Sequence, residues 1–148
     1  MAIDTSRCFG EFISFVYGAQ GSQDDTDWVG DTIRGILLDV ATSPDFSAHH
    51  ELTDLSGGRA TDSQDVVLQN CEKDIVSNSV QFDADDITFT SVSSADTLGG
   101  VGIYKSRTNA TTDHQLICID KFSSSLKLTS DTDVNVIFNA SGVWKIDF

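Results

Sequence analysis

Proline is almost missing from these 148 residues, with Pro44 the sole example, and glutamate is scarce, with three against 20 aspartates. Basic side chains are few as well: nine Lys and Arg face 23 acids, leaving a formal charge of −14. With no cluster of cations to meet phosphate, nucleic acid and anionic lipid surfaces are excluded as partners. No run approaches the ~18 consecutive apolar residues of a membrane span. The start, Met1-Ala2-Ile3-Asp4-Thr5-Ser6-Arg7, lacks the basic and apolar regions of a secretory signal, so synthesis in the cytoplasm is expected. Cysteine is limited to Cys8, Cys71 and Cys118, with no C-x-x-C pair. Reduced thiols are the expectation, and one disulfide with a thiol left over is the alternative.

What is abundant sets the architecture. Hydrophobic residues make up 39% of the chain, enough for a core, and no Pro/Gly/Ser-rich linker divides it, so residues 1–148 read as one domain. Asp, Ser and Thr together supply 52 residues, and their short polar side chains compete for backbone hydrogen bonds inside helices. A mainly β chain follows.

In residues 1–20, Phe9, Phe12, Ile13 and Val16 fall at helical spacing within Arg7–Tyr17, which predicts one short N-terminal α-helix, against a competing strand signal in Phe12-Ile13-Ser14-Phe15-Val16-Tyr17 and the helix-weakening Gly10. Asp4, Thr5 or Ser6 would cap its start and Gly18 its end. Asp31 to Asp39 encloses Ile36-Leu37-Leu38 and reads as a buried strand. Residues 41–64, with Pro44, His49-His50 and Gly57-Gly58, read as a long loop. Further strands are expected at Val66–Leu68, Val80 and Phe82, Ile87 and Phe89, Val101–Tyr104, Leu116–Ile119, Leu126 and Leu128, Val134–Phe138, and Trp144 to Phe148. Turns at Asp83–Asp86 and Asn139–Gly142 punctuate them. Alternation with turns every 8–12 residues predicts an antiparallel β-sandwich or jelly-roll-like domain.

Chemistry-bearing patterns are weak. The runs Asp24/Asp25/Asp27, Asp83/Asp85/Asp86 and Asp131/Asp133 lack the glycine and closing Glu of a calcium loop and read as solvated turns. Adjacent His49 and His50 do not make a helical zinc pair, and His114 stands alone. No G-x-S-x-G elbow is present, and neither double glycine has phosphate-loop spacing. The sequons at Asn109 and Asn139 carry no secretion signal and read as chance matches. The expectation is a protein that is not an enzyme, with no cofactor, metal or small-molecule substrate. The aromatics Phe9, Phe12, Phe15, Tyr17 and Trp28 are the candidate partner interface, since interfaces are enriched in such side chains; core packing is the competing reading. A different class, a carbohydrate-binding β-sandwich module, would use exposed Trp28 or Trp144 with Asp acceptors.

The order of segments resembles a group of small virion structural proteins encoded by tailed bacteriophages near their head genes. The resemblance is carried by Phe9-x-x-Phe12, Asp31-Thr32-Ile33-Arg34 leading into Ile36-Leu37-Leu38-Asp39, and Ala41-Thr42-Ser43-Pro44-Asp45. It continues through Asp54-Leu55-Ser56-Gly57-Gly58, Asp83 to Phe89, Gly102 to Lys105, Leu116 to Phe122, Val134 to Phe138 and Gly142-Val143-Trp144. It departs at Gln69 to Asn78, where Cys71, Glu72 and Lys73 interrupt a smoother strand. The resemblance implies a capsid decoration or cement protein on the outer head shell of the virion. It would dock on the major capsid protein and on copies of itself, as trimers at quasi-threefold positions. A neck or tail component is the alternative within the same particle.

Overall fold

Strand β2, Ile33–Asp39, shows how the chain is layered, because four consecutive residues, Gly35, Ile36, Leu37 and Leu38, are buried along it. Such a run requires cover on both faces of the sheet. The computed structural model describes residues 3–8, 27–49, 51–55, 58–60, 65–76, 79–107, 114–140 and 142–147. Within them β2 lies in a five-stranded sheet of order β1-β8-β7-β2-β3, with β1 at Ile3–Cys8, β3 at Val66–Val67, β7 at Thr97–Lys105 and β8 at Gln115–Lys127. A three-stranded sheet runs β10-β5-β4, from Trp144–Asp147 through Ser79–Asp83 to Glu72–Val76. A two-stranded sheet pairs β6, Ile87–Val92, with β9, Thr132–Val136. Every strand pair is antiparallel.

One face of the large sheet meets the other two sheets. Ile33 and Leu37 of β2, Val101 and Ile103 of β7, Phe82 of β5, Phe89 of β6, Val136 of β9 and Trp144 of β10 belong to one cluster. The opposite face is covered by the expected long loop. Its middle forms a 3-10 helix, Leu52–Leu55, whose two leucines pack on Ile36, Leu38, Tyr104, Leu116 and Ile119. Bridges from Arg59 to Leu38 and from Glu51 to Gln115 fix this cover at both ends. Residues 41–64 are therefore a second core layer where described, which explains why β2 lacks a polar side.

Most expected strands are present, with three differences. Leu116–Ile119 and Leu126 belong to one strand of 13 residues, β8, because the register jumps from Gly100 opposite Lys121 to Leu98 opposite Leu126, so the intervening residues bulge out. An additional strand, β4, fills the segment that departs from the resemblance. Its residues 72–75 are all exposed, so no apolar alternation marks it in the sequence. At the N-terminus, Asp4–Ser6, expected as a helix cap, and Arg7 and Cys8 are strand, because β8 offers them a hydrogen-bonding partner. The rest of the expected helix, residues 9–17, lies outside the described residues. Among the described residues there is no α-helix.

The turn before β10 shows a strict backbone demand. Gly142 sits at φ 92°, and a Cβ there would lie 2.6 Å from the carbonyl oxygen of Phe82. Gly142→Ala is expected to lower stability by about 1–2 kcal/mol from the backbone conformation alone, with the steric contact adding to it. Urea unfolding checks this, and an unchanged midpoint contradicts it.

Candidate functional site

A concave feature with polar and apolar lining forms where two strand irregularities coincide. The β2–β7 register shifts between Leu38 and Asp39, and the β7–β8 register shifts between Leu98 and Gly100. Gly99 and Gly100 occupy this corner because a Cβ on Gly99 would stand 2.7 Å from Val40 Cα, and one on Gly100 would stand 2.5 Å from the Asp120 carbonyl oxygen. The double glycine thus serves close backbone approach at bulges, not phosphate binding. The displaced strands leave a cavity of about 180 Å³ lined by the apolar Val40, Ile119 and Phe122 and by the polar Asp39, Lys121 and Ser125. That is below the roughly 300 Å³ at which small-molecule sites begin. Asp39 is already engaged, accepting from the amides of Ala41 at 2.8 Å and Thr97 at 3.4 Å. The cavity suits one inserted side chain better than a substrate.

A second cluster joins the loop cover to β7. The Tyr104 hydroxyl donates to the Asp65 carboxylate, which also pairs with Arg59 at 2.9 Å. The His114 ring stacks on Tyr104 at 5.3 Å between centroids, and its Nδ1 accepts from the Arg107 amide at 3.2 Å. Burial first, then the hydrogen bond from the phenol to the Asp65 carboxylate and that carboxylate's charge, push the Tyr104 phenol well above its ordinary pKa. A phenol held neutral in this way is a poor proton acceptor. The cluster ties Asp65 and Arg59 to Tyr104 of the large sheet.

Of the aspartate runs, Asp24 and Asp25 lie outside the described residues; most of the other aspartates accept from backbone amides, and Asp85 accepts from the Asn70 side chain. Asp27 accepts from Val29 and Asp83 from Ala84 across their own turns. Others reach across the fold: Asp86 accepts from the amide of Phe138 at 2.9 Å, Asp131 from Ser94 at 2.8 Å and Asp133 from Ser91 at 2.9 Å. Hydrogen bonds from Ser94 hold the Asp131 carboxyl below the usual carboxylate range. Among the described residues, no group of three or more His, Cys, Asp or Glu is arranged to hold a metal ion. His49 Nδ1 accepts from the Asp45 amide at 3.2 Å, so it too closes a turn.

The expected interface residues fare differently. Phe9, Phe12, Phe15 and Tyr17 lie outside the described residues. Trp28 must be corrected, because it is only 2% exposed and presents no surface to a partner. The turn over residues 27–31 is drawn tight by the Asp31 amide on the Asp27 carbonyl at 2.8 Å and the Asp27 amide on the Asp31 carboxylate at 2.7 Å. That turn sends the indole inward, where its Nε1 donates to the Asp83 carbonyl at 2.8 Å and its ring meets Phe82 edge-on. Trp144 is also 2% exposed and stacks on Phe82 at 4.0 Å. Both tryptophans are core residues, so neither is the exposed platform expected for a sugar-binding module. No family model, characterised protein or solved structure matches this chain.

Sequence spacing gave no signal for the Tyr104–Asp65 contact, which joins residues 39 apart. It generates a testable pH dependence. Because the folded phenol binds its proton more tightly than an unfolded one, Tyr104 contributes fully below pH of about 10 and loses that contribution as pH rises further. Tyr104→Phe is expected to cost about 1 kcal/mol near neutrality and to flatten the loss of stability above pH of about 10. Thermal unfolding between neutral and strongly alkaline pH checks both, and parallel curves for the two proteins contradict the assignment.

Proposed function

We propose that this protein is a non-enzymatic structural protein of a tailed-phage virion, a β-sandwich or jelly-roll-like decoration protein on the outer head shell. Besides the resemblance in segment order, one observation carries this reading. The carboxylates serve to pin loops while remaining outward. Asp83, Asp85, Asp86, Asp131 and Asp133 are all exposed, yet each accepts a hydrogen bond that fixes a turn or joins two segments. A shell component needs both properties. Its outward face must stay solvated and repel neighbouring copies in solution, while its loops hold a fixed shape for docking. The major capsid protein and sibling copies are the partners in this reading, and Phe9, Phe12, Phe15 and Tyr17 form the contact surface, without Trp28.

Deleting residues 1–28 would not test that surface cleanly, since it removes strand β1 and the buried Trp28. Replacing Phe12, Phe15 and Tyr17 together by Ser in the full chain avoids this. Virions assembled with that variant are expected to lack it, while the purified variant keeps its sheet circular dichroism and melting temperature. Full incorporation contradicts the interface. Immunogold labelling of intact native virions with antibodies to this chain is expected to cover the head evenly. Label at one vertex or along a tail assigns the protein to the neck or tail, and particles without label overturn the virion reading.

A further inference from the structure

Two of the three cysteines, remote in sequence, meet across the large sheet. Cys8 ends β1, Cys118 lies within β8, and the antiparallel register makes them Cα partners. The same register sets Ser6 opposite Asp120 and Arg7 opposite Ile119, so the cysteine pair falls in an unbroken ladder. Opposed residues of an antiparallel pair stand about 4.5–5.5 Å apart between Cα atoms, within the roughly 4.4–6.8 Å that a disulfide spans. β1 is an edge strand whose neighbour in the sheet, among the described residues, is β8 alone. The third cysteine is placed elsewhere. Cys71 precedes β4 in the three-stranded sheet, and burial, then the nearby Asp85 carboxylate, push its thiol up. A thiol held protonated is a poor nucleophile.

We propose that Cys8 and Cys118 are a disulfide-forming pair that fastens the N-terminal strand to the sheet when the protein meets an oxidised small-molecule disulfide such as glutathione disulfide. The thiolate of one cysteine attacks a glutathione sulfur, forming a mixed disulfide and releasing one glutathione thiolate. The thiolate of the other cysteine attacks the protein sulfur of that mixed disulfide and releases the second glutathione. The two cysteines lose two protons and two electrons, and glutathione disulfide is reduced to two glutathiones. Because Cys118 is fully buried, exchange proceeds when the edge strand β1 lifts from β8, and its return restores the register that sets residue 8 opposite residue 118. The new bond closes a loop over most of the chain, from residue 8 to residue 118, which removes much of the freedom of the unfolded state.

The test uses purified full-length protein equilibrated in glutathione buffers of set ratio, quenched in acid, alkylated in denaturant and digested without reduction. The expected result is a Cys8–Cys118 cross-linked peptide pair within one chain, with Cys71 alkylated. The oxidised protein should melt roughly 10 °C above the reduced one. Cys8→Ser abolishes both the cross-link and the rise in melting temperature, while Cys71→Ser preserves both. Cys8 lies in the edge strand, so its variant keeps the comparison available even where Cys118→Ser disturbs the core. Three alkylated cysteines after oxidation, a bond that includes Cys71, a bond between two chains, or an unchanged melting temperature in the cross-linked protein each overturn the proposal.

Discussion

Phe82 is held between the protein's two tryptophans, and the arrangement of the remaining elements depends on that contact. Its ring stacks on Trp144 at 4.0 Å, and Trp28 meets it edge-on at 5.7 Å. The backbone of the same residue is equally engaged, because its carbonyl accepts from the Val143 amide at 2.7 Å and leaves room only for glycine at position 142. The turn at residues 27–31, the central strand of the three-stranded sheet and the last strand thus converge on one side chain. Aromatic rings of this size bury about 150–250 Å² each and gain further from stacked and edge-on geometry. The three rings belong to the buried cluster to which all three sheets contribute side chains.

The acidity of the chain is tied to the same architecture. Aspartate outnumbers glutamate because a carboxylate one carbon from the backbone can reach amides in its own turn, as Asp39 does for Ala41 and Asp45 for Ser47. Where it reaches further, as Asp86 does to Phe138, it joins the segment before one strand to the segment after another. These bonds favour the charged form, which is why Asp45 and Asp131 lie below the usual carboxylate range. Their contribution is present above that range and is lost as pH falls through their folded values. An acidic exterior and ordered loops are therefore products of the same residues.

Periodicity made legible those elements that have one wet and one dry face. Val134 and Val136 of β9, and Ile87 and Phe89 of β6, alternate with exposed neighbours, and both strands lie where the pattern placed them. The exposed strand β4 was illegible because Glu72, Lys73, Asp74 and Ile75 face solvent on an edge, so no burial acts on their sequence. The polar stretch in β8 marks a bulge rather than a strand end, and only the register with Leu98 and Gly100 reveals it. Trp28 misled for a local reason: a large aromatic in an acidic turn looks exposed, but that turn folds back and inserts it. The Cys8–Cys118 and Tyr104–Asp65 pairs had no sequence signature, because strand order creates both neighbourhoods.

The central structural claim is that one core, centred on Phe82, holds the three sheets together as a single cooperative unit. Trp28 and Trp144 are the only tryptophans in the chain, so indole fluorescence reports that centre, while far-ultraviolet circular dichroism reports the sheets as a whole. Urea unfolding of the full chain, followed by both signals on one sample, tests the claim most directly. A single transition with coincident midpoints is predicted, as expected for two-state unfolding. A tryptophan transition well separated from the loss of sheet signal would contradict it.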